Sequence, residues 1–299
     1  MDLTYAPAEE AFRARVRAWL ETNAPRARGP LSLDEGKAWQ RKLQQGGFLG
    51  AAWPKEYGGA GLSDMEQAIL NEELTRAKAP GVPGQMGIWW VGPAIMKFGS
   101  DAQKQRFVAR ILSGDDIWAT GYSEPGAGSD MFNTQTRAER HGDHYVVNGQ
   151  KIWTTIAHLS NWYFCLVRVP GLGSSKYDGL TVLLMEMAAP GMEVKPITQI
   201  TGDSEFNEVF MTDGLQGRLN PHLSAAMKLA GTSLAQQMST AHLSLLGAYG
   251  QLYENHPAAA DARATAQRFL GDRAQTIAGG TSEIQKNIIA ERILGLPRA

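Results

Sequence analysis

The chain has 299 residues, 43% hydrophobic and 20% charged, with 29 basic and 30 acidic side chains for a net charge of −1. That length can bury sizeable cores in one to three domains, and so even a charge gives no overall field to gather nucleic acid or an anionic membrane. No apolar run is long enough to span a bilayer, the start lacks the basic-then-apolar pattern of a signal peptide, and the one cysteine, Cys165, excludes a disulfide within the chain, so a reducing, cytoplasmic setting is expected.

The first 115 residues read as helical. Pro7-Ala8-Glu9-Glu10 opens an amphipathic stretch with Phe12, Val16, Trp19 and Leu20 on one stripe. After a break over 25–30, a second helix is predicted over 33–45, ended by Gly46-Gly47. The glycines and proline of Trp53-Pro54-Lys55-Glu56-Tyr57-Gly58-Gly59-Ala60-Gly61 mark a loop. Ser63-Asp64-Met65-Glu66 is a capping signature for a third helix, and Ser100-Asp101-Ala102-Gln103 caps another that stops at Ser113-Gly114. Between them, 85–98 is predicted as a buried helix, with Trp89 and Trp90 counted as core.

The pattern changes near residue 116. Short runs rich in β-branched and aromatic residues (144–147, 162–169, 180–187 and 208–211) alternate with turn clusters, and Asn148-Gly149 reads as a hairpin turn. His141 and His144 bracket a Gly-Asp pair that reads as a solvated hairpin tip rather than a metal site. From about His222 helical spacing returns, with further helices over 261–277 and 281–294. The expected fold is α+β and multi-domain: an N-terminal helical domain over 1–115, a middle antiparallel β-domain over 116–213, and a helical segment over 214–299.

Two stretches carry the chemistry. In Thr120-Gly121-Tyr122-Ser123-Glu124-Pro125-Gly126-Ala127-Gly128-Ser129-Asp130 the glycines let backbone N–H groups approach an anion or a carbonyl. In Gly149-Gln150-Lys151-Ile152-Trp153-Thr154-Thr155 an indole stands beside two hydroxyls, with Trp153 and Thr155 spaced to face one side of a strand. Together they suit a flat, polar-edged ring; separately they are a tight turn and a core tryptophan.

These two stretches, with Ile277-Ala278-Gly279-Gly280-Thr281-Ser282-Glu283-Ile284-Gln285-Lys286-Asn287 and the helix that follows, resemble the signature blocks of the acyl-CoA dehydrogenase family, in the family's order. The resemblance implies FAD as cofactor, α,β-dehydrogenation of an acyl-CoA thioester to the trans-2-enoyl-CoA in fatty acid or steroid side-chain degradation, electron-transfer flavoprotein as acceptor, and a homo- or hetero-oligomer. It implies cofactor contacts from Tyr122, Ser123, Gly128, Ser129, Trp153, Thr155, Thr281 and Glu283, with Ser129 also at the mouth of the acyl-CoA channel. Ser123 and the N–H groups after it would meet the pyrimidine edge, Trp153 would cover the ring face, and Thr155 would reach N5.

The resemblance has a gap. After Asp213 the family continues into two long helices, whereas this chain passes through 214–221 into Met227-Lys228-Leu229-Ala230, which resembles a later helix, so the C-terminal bundle is shortened. One usual position of the catalytic glutamate is Gly279 here, and the other lies on a helix that is missing, so no base is assigned. A deleted or unrepresented segment, a short subunit whose partner supplies the base, and a non-catalytic relative that binds flavin or acyl-CoA all remain open.

Overall fold

The computed structural model describes residues 5–26, 29–171, 179–219 and 269–270. Its helical part comprises α1 (Pro7–Asn23), α2 (Leu33–Gln45), α3 (Asp64–Arg76), α4 (Gly92–Phe98) and α5 (Asp101–Ser113). Local chemistry sets the starts. Ser32, Ser63 and Ser100 each accept the N–H three residues on, while Glu35, Glu66 and Gln103 bond back to the cap residue's N–H. Gly114, in the left-handed conformation, ends α5. Phe12, Val16 and Leu20 bury one stripe of α1 against the other helices.

The expected helix over 85–98 is two elements, a π-turn at Gly87–Val91 followed by α4. The turn faces Ile88 and Val91 inward but leaves Trp89 63% and Trp90 37% exposed, and Phe98 is also on the surface. The expectation that both indoles are core is therefore corrected. The expectation rested on the bulk of two adjacent indoles, whereas the widened turn directs both to the surface.

Strands follow: β1 (Trp118–Gly121), β2 (Arg137–His141), β3 (His144–Thr155), β4 (Trp162–Arg168), β5 (Leu180–Glu186), β6 (Met192–Ile197) and β7 (Phe206–Leu219). The order β1-β4-β2-β3-β7-β5 closes through β4–β5 pairing, and β6 adds to β7. Pairing is antiparallel except for β1 and β2 against β4. β7 runs past Asp213 to Leu219, where its backbone pairs with β5.

Both faces of the central strands are covered, which is why they read as unbroken apolar runs. Phe164, Leu166, Val182 and Leu184 join the helical core, while Tyr163, Cys165, Val167, Leu183 and Met185 form a second core with Val147, Val209 and Met211. Burial pushes the Cys165 thiol up to about 12, consistent with a packing role.

Of the two hairpin turns expected, the one between His141 and His144 is present and the one at Asn148-Gly149 is not. The β2–β3 turn is Gly142-Asp143, closed by the His141–His144 pair. Asn148-Gly149 sits inside β3, at a register shift against β7. There Asn148 exchanges two hydrogen bonds of 3.1 Å with Asp213.

Candidate functional site

The Gly-rich loop leaves β1 and lies along β3. Ile152 N–H donates to the Ser123 carbonyl at 2.9 Å, and Lys151 Nζ donates to the Tyr122 carbonyl at 3.1 Å. The loop then turns on itself, with Glu124 and Ala127 exchanging backbone hydrogen bonds of 2.8 and 3.1 Å. Asn133 Nδ2 donates to the Gly126 carbonyl. Thus the carbonyls of Tyr122, Ser123 and Gly126 are all engaged. The N–H groups of Ser123, Gly126, Gly128 and Ser129 find no acceptor among the described residues. Cβ atoms at Gly126 and Gly128 would meet open space, so the backbone there stands clear of the rest of the fold.

Under the loop lies a pair that sequence reasoning did not single out. Lys151 is fully buried and donates to Glu124 Oε1 at 2.8 Å. The same carboxylate accepts the N–H of Gln135 at 2.7 Å and of Thr136 at 3.0 Å. Burial alone would push the Glu124 carboxyl up. Lys151 and the amide donors outweigh it and hold the group below its ordinary value. Both residues lie within the quoted motifs, but a strand lysine and a turn glutamate, 27 residues apart, give no local sign of pairing.

One residue past Ile152, the strand bulges. Between Lys151 and Thr154 the pairing with β7 slips by one residue, and Trp153 takes a left-handed φ of 60°. That conformation is costly for a bulky side chain and clusters at functional sites. Thr154 turns inward to Tyr163 Oη at 3.1 Å. Trp153, 55% exposed, is left on the surface with half-buried Thr155 beside it. The Trp153 ring meets Phe206 edge-on at 6.2 Å.

The structure therefore gathers Tyr122, Ser123, Trp153 and Thr155 through the loop–strand bonds, with Gly128 and Ser129 at the exposed end of the same loop. The hydroxyls of Ser123, Ser129 and Thr155 make no hydrogen bond among the described residues. Tyr122 packs beside Phe164, and burial pushes its phenol well above the ordinary value. Thr281, Glu283 and Gly279 lie outside the described residues. Free amides, free hydroxyls and an uncovered indole form a donor set that suits a planar ring with acceptor edges. Glu124 is the buried carboxylate here, and its oxygens are already engaged by Lys151 and two amides.

This fold and site define a class. The chain matches the acyl-CoA dehydrogenase N-terminal domain over residues 6–115, the middle domain over 119–213 and the C-terminal domain over 209–294. It belongs to the acyl-CoA dehydrogenase family, an oxidoreductase family whose cofactor is FAD. It is 34% identical to acyl-CoA dehydrogenase IpdE1 of Mycobacterium tuberculosis (strain ATCC 25618 / H37Rv), covering 97% of this chain and 98% of that one. That match runs over 378 positions against the 299 residues here, so the relative carries segments without a counterpart, in keeping with a shortened C-terminal domain. Among solved structures, the ChsE4-ChsE5 complex of Mycobacterium tuberculosis gives a TM-score of 0.83 at 28% identity, covering 100% of both chains. The Tcur3481-Tcur3483 steroid ACAD gives 0.80 at 25% identity, again covering 100% of both. No helix among the described residues is long and apolar enough to cross a membrane.

Proposed function

We propose that this chain is one subunit of a hetero-oligomeric acyl-CoA dehydrogenase that converts a CoA thioester to its trans-2-enoyl form, with the proton-abstracting carboxylate supplied by the partner subunit. The observation that carries this reading is the composition of the loop–strand site: open donors beside an exposed Trp153, and a buried carboxylate that is not free to act. A general base must reach the α-proton with an available lone pair. Glu124 is locked beneath the loop and fails that requirement. The likeness to the ChsE4-ChsE5 complex and to the Tcur3481-Tcur3483 steroid ACAD supports both the hetero-oligomer and a steroid-derived acyl group.

When bound, FAD would supply the acceptor for the hydride that leaves the substrate's β-carbon. The chain's own residues bind and orient. The Ser123 hydroxyl and the amides of Gly126, Gly128 and Ser129 would hold the polar edge of the ring. Trp153 would cover a face and exclude water, Thr155 would donate near the reacting edge, and Tyr122 would pack behind. Ser129 would stand at the channel mouth, with Thr281 and Glu283 approaching from the C-terminal segment. Donors fixed in advance stabilise developing negative charge without reorganising. The division at 115 and 213, a cytoplasmic setting and electron-transfer flavoprotein as acceptor belong to the same proposal.

The test is affinity purification of the tagged chain from its own organism, followed by a CoA-thioester panel that includes a steroid side-chain thioester, with a dye acceptor. A second acyl-CoA dehydrogenase chain should co-purify, and the flavin should bleach only when both are present. Bleaching by this chain alone would overturn the partner-supplied base.

A further inference from the structure

We infer that Lys151 and Glu124 are a positioning pair that fixes the loop over 122–129 in its ligand-ready shape before FAD arrives. This rests on the reading of that loop as the flavin-edge site. The ammonium of Lys151 is fully buried and gathers two parts of the loop at one point, the Tyr122 carbonyl at 3.1 Å and the Glu124 carboxylate at 2.8 Å. The carboxylate in turn gathers the amides of Gln135 and Thr136, where the chain leaves the loop for β2. Lys151 immediately precedes the bulge that exposes Trp153. One ion pair thus ties together the start of the loop, its exit and the aromatic platform.

A buried ion pair is weak evidence for a stabilising role. Taking two charges out of water costs several kcal/mol per ion, and apolar replacements of a buried pair are often neutral or stabilising. An apolar pair lacks direction. An ammonium has three donors and a carboxylate two oxygens, so each partner can be shared among fixed backbone groups. Their sharing here accompanies the turn of the Tyr122 and Ser123 carbonyls toward β3, while the amides of Gly126, Gly128 and Ser129 are left without acceptors among the described residues. A loop ordered beforehand binds more tightly because less freedom is lost on binding. Neither side chain is open to a ligand, so both act through the loop.

The test uses the full chain with its co-purifying partner. The double variant Lys151→Met/Glu124→Gln removes both charges and keeps an oxygen for an amide. It should melt close to the wild type yet bind FAD at least about tenfold more weakly, with the flavin's visible band losing fine structure. Hydrogen exchange of the wild type, with and without FAD, covers the case of a variant that does not fold. Gln135, Thr136 and Ile152 amides should already be protected in the flavin-free protein, and FAD should add protection at Gly126, Gly128 and Ser129. Undiminished FAD affinity in the folded double variant, or protection of Gln135 and Thr136 appearing only with FAD, would overturn the positioning role. FAD bound without added protection at Gly126, Gly128 and Ser129 would instead overturn the flavin-site reading beneath it.

Discussion

Glu73 lies on α3 with its carboxylate buried, and three arginines converge on it. Arg17 donates at 2.7 and 2.9 Å, Arg76 at 2.6 Å and Arg13 at 3.2 Å. The Arg17 hydrogen bonds, joined by those of Arg76 and Arg13, overcome the opposing effect of burial and hold the carboxyl at about 2. A folded-state value below the unfolded one stabilises fully above about pH 4.5, and the contribution is lost as pH falls toward 2. Allowing for screening of the half-exposed arginines, this contributes on the order of 2 kcal/mol. Glu73→Gln should therefore lower the melting midpoint by several degrees at pH 7. Midpoints of both proteins between pH 7 and pH 2.5 should converge on acidification; a gap that stays constant would show that charge is not what Glu73 contributes. Glu124 differs in kind, because its partners are mostly backbone and its neighbours are the site.

At the level of the element, β3 carries the site only because it is irregular. Its first register shift falls at Gly149, where an added Cβ would lie 2.5 Å from Thr136 Oγ1 and 2.7 Å from Thr136 Cα. Backbone cannot move aside as a flexible side chain can, and Thr136 is also the residue whose amide Glu124 holds. Gly149→Ala should thus destabilise by about 1–3 kcal/mol and weaken FAD binding through the displaced loop, read by a thermal melt and flavin titration. Full stability with full flavin affinity would refute the close approach. The sequence made the caps of α3 and α5 legible, because Ser63 with Glu66 and Ser100 with Gln103 act within one turn. Asn148-Gly149 misled because turns and bulges use the same residues. What decides between them is the long pairing of β3 with β7, which local chemistry does not encode. Trp89 and Trp90 misled for a related reason: their bulk suggested burial, but the π-turn sets their direction. Ser123, Trp153 and Thr155 were legible as a motif, whereas the ion pair beneath them exists only once the loop lies on the strand.

Over the whole molecule, the site's geometry depends on residues far from it. One continuous core runs from Phe12, Val16 and Leu20 of α1 through Trp39 and Ile69 to Phe107 of α5, and on to Trp118, Phe164 and Val182 in the sheet. Phe107 is the hinge of that continuity. Its ring lies edge-on to Trp118 at 5.2 Å and to Trp162 at 4.8 Å, and those two indoles stack on each other at 5.4 Å. Beside it, Arg110 grips buried Asp116 through two bonds, and Asn161 Oδ1 accepts the Ile117 N–H at 2.6 Å. The joint between α5 and β1 is thereby fixed, and β1 leads directly into the loop that holds Ser123. Helices and sheet that share a core should lose structure together, so far-UV circular dichroism and tryptophan fluorescence should report one coincident transition. Phe107→Ala should cost about 3–5 kcal/mol and shift both signals equally, because the cavity opens at the joint rather than within either part. Separate transitions in the variant, with the sheet signal unmoved, would mean that the sheet holds its shape without the helices. The loop's position would then be set by β3 and the Lys151–Glu124 pair alone.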